Sequence, residues 1–81
     1  MTTLAVFRSR AQALEYISFL KASGVPAQAV NTPKEAGVGC GISAKFDEAF
    51  LLRARACLGK KRYSSFSGFM EKRGSMFTYI T

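Results

Sequence analysis

A capped, 3.6-periodic apolar stripe between Ser9 and Pro26 fixes a helix in the first third of this chain, and the segments flanking it are short. Ser9 followed by Gln12 matches a capping box, and Ala13, Leu14, Ile17 and Leu20 form the stripe with Tyr16 on its margin. Gly24 supplies the residue after the C-cap and Pro26 blocks continuation, which predicts a helix over residues 10–23. On either side lie short β-prone runs: residues 3–7, with Leu4 and Val6 on one face, and residues 27–30. Alternation of Ile42, Ala44 and Phe46 against Ser43 and Lys45 predicts a third strand. Asp47 is an N-cap for a second helix, with Leu51, Ala54 and Leu58 as its inner stripe, Phe50 and Cys57 flanking it, and Gly59 as its end. Residues 63–70 and 76–80 read as two more strands, with residues 71–74 as a hairpin loop carrying Gly74 in the left-handed conformation.

The resulting order is β-α-β-β-α-β plus one strand. It predicts an α+β fold of the ferredoxin-like sandwich type, with an antiparallel sheet, both helices on one face and a C-terminal strand added. Eighty-one residues allow one domain, since domains usually run to about 100–150 residues. A core of about residues 1–68 is expected, with 69–81 as the extension. So thin a core argues against a multi-pocket enzyme and for a carrier, adaptor or binding module.

Twelve lysines and arginines against five acids give a net charge of +7, which favours anionic partners. Five of the cations, Arg53, Arg55, Lys60, Lys61 and Arg62, fall within residues 53–62. Cations at a helix C-terminus offset the macrodipole, but five exceed that need, so docking of an acidic partner or RNA is a second reading. Histidine is absent, which removes the usual general base and any Cys–His pair made within the chain. Two cysteines cannot complete a zinc site unaided, and no metal or cofactor is expected. No apolar stretch approaches a spanning helix, and the start lacks a signal-peptide pattern, so a cytoplasmic protein with reduced thiols and no membrane association is expected.

The segment Asn31–Gly41 holds three glycines and a proline, and long loops in compact domains are often functional. Phe7-Arg-Ser9, a helix, then Thr32-Pro33-Lys34 leading after five residues into Cys40-Gly41 and a strand ending in Phe46 resembles a bacterial family of small selenium/sulfur carrier-like proteins, over roughly residues 3–66. The resemblance implies a non-enzymatic carrier that exchanges sulfur or selenium between donor and acceptor proteins of that metabolism. It puts the family's cysteine at Cys40 and its Thr-Pro at Thr32 and Pro33. Residues 69–81 and the strongly basic balance depart from the family pattern.

A carrier needs a thiol that another enzyme can approach. Gly39 and Gly41 frame Cys40 without side chains, and backbone N–H groups there, with Lys34 or Lys45 nearby, would favour the thiolate and a persulfide-type adduct. The alternative is a small residue packed under a loop, because free cysteine is often buried. Cys57 reads as structural, although a βα unit could bring it near Cys40 as a resolving thiol. Phe46, Tyr63, Phe66, Phe69, Phe77 and Tyr79 suggest base stacking, but Gly41–Phe46 lacks the aromatic pattern of an RNA-binding strand, so the rings are expected to fill the core and the seam with the added hairpin. The competing functional reading is a small basic module for RNA or an acidic protein, with Cys40 incidental. Met76–Ile80 is apolar and uncharged, and such an edge is expected to pair with a second copy, giving a homodimer through residues 69–81.

Overall fold

In the computed structural model the described residues are 1–37 and 41–80. They form β1 (Thr2–Phe7), α1 (Arg10–Ala22), β2 (Gln28–Asn31), β3 (Ile42–Asp47), α2 (Leu51–Lys60), β4 (Phe66–Arg73) and β5 (Met76–Ile80), with single 3-10 turns at Lys34–Ala36 and Glu48–Phe50. The fold is α+β, with one five-stranded antiparallel sheet in the order β2-β3-β1-β4-β5 and two helices.

β1 is central, pairing with β3 on one side and β4 on the other. Leu4-Ala5-Val6-Phe7 is buried throughout because both faces of this strand are covered. Ala5 and Phe7 join Ala44, Phe46 and Phe69 beneath the helices, where Ala13, Tyr16, Ile17, Leu20, Ala54 and Cys57 pack on them. Leu4 and Val6 face the other way, into a smaller cluster with Ala36 and Met70, flanked by Val30 and Phe77. The pairing of Leu4 with Val6 on one face therefore holds, and that face is the one without helices.

Several details differ from the sequence reading, each for an identifiable reason. The helix stripe rotates: Tyr16 is fully buried and donates its hydroxyl to Ala54 O (2.8 Å), whereas Leu14 is exposed. Only half of the capping box forms. Ser9 Oγ accepts the Gln12 amide, but the Gln12 side chain reaches away from Ser9, accepting from Ser65 N–H and Oγ and donating to Ser64 Oγ. That clasp holds Ser64 and Ser65 out of the sheet, so β4 starts at Phe66 and not at Tyr63. Asp47 caps the 3-10 turn that leads into α2, accepting the Ala49 amide, and α2 continues past Gly59 to Lys60. The same Ala49 bond, followed by the adjacent N-terminal ammonium, lowers the Asp47 carboxyl from its ordinary value. The hairpin is tighter than expected: Arg73 pairs with Met76, leaving Gly74 and Ser75 as the turn, with Gly74 at φ 61° as its left-handed residue.

Aromatic rings fill the helix-side core as expected for Phe46, Tyr63, Phe66 and Phe69. Phe7 meets Tyr16, Tyr63 and Phe66 at centroid distances of 5.2, 5.6 and 5.4 Å, and Phe69 meets Phe66 and Phe46. Phe77 and Tyr79 are separate from this set, because β5 sends them to the helix-free face. Gly68 sits where the register of β1 and β4 slips between Val6 and Phe7. Its φ is 146°, and a Cβ there would stand 3.1 Å from the Tyr79 ring. The bulge and the close ring approach both require glycine. At the edge, Met76 and Tyr79 remain 57% and 42% exposed, and the Phe77 amide donates to Glu35 Oε2 at 3.2 Å, so this edge donor has a partner within the chain.

Gly68→Ala should destabilise the fold by about 1–3 kcal/mol, the usual cost of a non-glycine residue forced into such a backbone conformation. Urea unfolding measures it, and adding Tyr79→Ala should recover only the ring contact, leaving the backbone cost in place. A second expectation concerns alkaline pH. Burial, then the neighbouring Cys57 and Tyr63, raise the Tyr16 hydroxyl above its ordinary 10.0. The folded state thus keeps a proton that the unfolded chain loses, and stability falls as pH rises beyond about 10. Tyr16→Phe should show a shallower alkaline decline than wild type in parallel unfolding curves.

Candidate functional site

The segment joining β2 to β3 is closed at its neck and fastened at the Lys34–Ala36 turn. At the neck, Thr32 N–H donates to Gly41 O (3.0 Å) and Thr32 Oγ1 shares a hydrogen bond with Ser43 Oγ (2.8 Å). A Cβ on Gly41 would lie 3.3 Å from Phe7 O and 3.5 Å from Thr32 Oγ1, so glycine lets this strand start press against the end of β1. Pro33, in extended conformation, starts the turn Lys34–Ala36, and Gly37 closes it at φ 69° by donating to Lys34 O. Three of the expected site residues, Thr32, Pro33 and Gly41, therefore come together. Gly39 and Cys40, the framing glycine and the expected carrier thiol, lie outside the described residues, as do Val38 and Thr81.

The turn is strapped to the helix-free face of the sheet by β5. Ala36 is buried against Leu4, Val6 and Met70. Tyr79 donates its hydroxyl to Ala36 O at 2.8 Å, and Glu35 accepts the Phe77 amide. The C-terminal hairpin thus positions the loop that precedes Cys40 in sequence. Nothing in the residue order pointed to this, because Tyr79 and Ala36 are 43 positions apart.

The expected electrostatic residues lie on different elements. Lys34 is exposed on the turn. Lys45 lies four residues beyond Gly41 on β3 and lines a cavity of about 210 Å³ with Lys72, Leu4, Val30 and Phe77. Cys57 is buried in the helix layer, its thiol 3.6 Å from Ser23 Oγ. The basic run of residues 53–62 also divides. Arg53 packs at Gly24, Arg55 lies over the Phe69 ring at 5.0 Å, and Lys61 pairs with Glu15 (3.5 Å) while crossing the Phe19 ring. Lys60 and Arg62 are exposed. Two cations that the sequence reading passed over, Arg8 and Arg10, stand exposed where α1 begins, and the Arg8 amide donates to Ser65 O beside Arg62 and Tyr63. Among the described residues no three His, Cys, Asp or Glu side chains gather as metal ligands, and no helix is long and apolar enough to cross a membrane.

These features define a small α+β protein with one anchored, glycine-containing loop between β2 and β3. Residues 2–67 match the family described as "Putative Se/S carrier protein-like", and the chain belongs to that family. The match ends at the start of β4, so the hairpin and β5 lie beyond it. No curated protein and no solved structure matches the chain.

Tyr79→Phe removes one hydrogen bond of about 1 kcal/mol from the strap. Amide exchange at Ala36 and Gly37 should quicken about fivefold, while α1 amides stay unchanged; equal exchange in both proteins would mean that the hydroxyl does not hold the turn.

Proposed function

We propose that this chain is a selenium or sulfur carrier that holds the chalcogen on Cys40 as a persulfide-type adduct. Family membership across residues 2–67 is the observation that carries this reading. The arrangement around it is consistent in three respects. The described residues on either side of Cys40 in sequence are fixed, Thr32 to Gly41 and Ala36 to Tyr79. Cys57, the other thiol, is buried within the helix layer and is poorly placed for exchange with another enzyme. The chain has no histidine, so the partners supply the acid–base chemistry and this protein is a carrier without a reaction of its own. We read the sheet as the ferredoxin-like arrangement, with β5 as the added strand.

In the transfer step the Cys40 thiolate attacks the outer sulfur of a persulfide on the donor enzyme. The new S–S bond forms on Cys40, the donor's own S–S bond breaks, and the donor cysteine leaves as thiolate. The outer sulfur changes carrier with no net oxidation or reduction, and a second exchange passes it to the acceptor. This chemistry calls for reduced thiols, which fits a cytoplasmic location.

Intact-mass measurement of protein incubated with a cysteine desulfurase and cysteine, without reductant, should reveal one added sulfur. Dithiothreitol should remove it, and Cys40→Ser should never acquire it. An adduct on Cys57, or none on either thiol, would overturn the reading. Competitive alkylation should label Cys40 first and Cys57 only on unfolding, since a buried thiol reacts slowly.

A further inference from the structure

At the start of α1 the charges run against the helix. Its first turn contains Arg10 and no acid, and Arg8 lies just ahead of the N-cap. The N-terminus of a helix is its positive end, where each exposed cation typically costs about 0.3–1 kcal/mol. Lys60 near the end of α2 needs no such explanation, because cations are favourable there. Arg8 and Arg10 thus stand against the local electrostatics of the helix.

The backbone at Arg8 is bonded to Ser65 O, next in sequence to the wall of a groove of about 540 Å³ between the end of α2 and the start of β4. Leu58, Tyr63 and Phe66 give it an apolar floor, and Lys61 and Arg62 line it. The Arg8 amide bonds to Ser65, and Gln12 clasps Ser64 and Ser65, so α1 and the groove wall form one surface. Glu15 pairs with Lys61, which lines the groove. Asp47 and Glu48 lie by the N-terminus at the far end of β3, Glu35 bonds to β5 and Glu71 pairs with Arg73. Arg8, Arg10 and Arg62 make no ion pair among the described residues.

We infer that this groove and the arginines around it dock an acidic segment of a partner protein, with one apolar side chain seated on Leu58, Tyr63 and Phe66. Charge complementarity sets the sign of the partner, and the apolar floor sets the anchor. A nucleic acid fits less well. Tyr63 and Phe66 are packed edge-on against Phe7, and Tyr63 also against Tyr16, so they do not form the row of free ring faces on which bases stack. Gly41 and Phe66 flank the end of β1 on opposite sides, about two strand spacings or ~10 Å apart. A partner seated here lies beside the neck of the Cys40 loop. That purpose rests on the carrier reading; the docking itself does not.

The test uses the full chain carrying Cys40→Ser and a labelled synthetic peptide of glutamates flanking a single leucine, followed by fluorescence anisotropy. Binding should weaken about fivefold or more in Arg8→Gln/Arg10→Gln, as expected for two exposed charge pairs, and weaken on raising salt. Replacing the peptide's leucine by glycine should weaken it further. Arg53→Gln/Arg55→Gln removes the same charge elsewhere and should leave affinity unchanged. Equal weakening by both pairs would reduce the effect to net charge and overturn the inference. So would an absence of binding, or tighter binding of an oligouridine through Arg8 and Arg10. Because the assay omits the thiol, a protein that docks the peptide yet never acquires sulfur would overturn the carrier reading alone, and the reverse result would overturn the docking surface alone.

Discussion

The whole molecule hangs on β1, a strand whose two edges and two faces are all occupied. β3 and β4 take its backbone groups, the helices cover Ala5 and Phe7, and the loop turn with the C-terminal hairpin covers Leu4 and Val6. A chain of this length cannot build one thick core, so it builds two thin ones back to back on a shared strand. Phe7 links the interior to the candidate site. Its ring holds Tyr16, Tyr63 and Phe66 together, while its carbonyl abuts Gly41 at the neck of the loop.

The helix-free face gives β5 a role that concerns the loop as much as the sheet. Its Phe77 amide and Tyr79 hydroxyl both end on the Lys34–Ala36 turn. This places a chain-terminal addition, outside the family match, in mechanical contact with the segment leading to Cys40. The ring of Tyr79 also lies against Gly68, so the bulge in β4 and the strap over the loop are parts of one packing arrangement.

Much of this was legible in residue order, and the misses have specific causes. The stripe of α1 was readable, but Tyr16 took the central position from Leu14 because a buried phenol can satisfy its hydroxyl on Ala54 O, a partner 38 residues away. Gln12 matched a capping box, and its side chain went instead to Ser64 and Ser65, which moved the start of β4. The basic run at residues 53–62 looked like one patch. A helix turns about 100° per residue, so Arg53 and Arg55 point to different neighbours, Gly24 and the Phe69 ring.

Local signals by themselves determined the element order, the cap of α1 at Ser9, the cap at Asp47 of the turn leading into α2, and the left-handed glycine of the hairpin. Those features depend on interactions within a few residues, which a linear reading can follow. Tertiary structure alone decided that Leu4 and Val6 face away from the helices, that Gly68 must stay without a side chain under Tyr79, that β5 fastens the loop at Ala36, and that the Arg8 backbone is bonded to Ser65 near the α2–β4 groove. Each of these joins residues far apart in the chain, and such contacts exist only once β1 has been paired on both sides and the sheet has brought its distant edges to the same face.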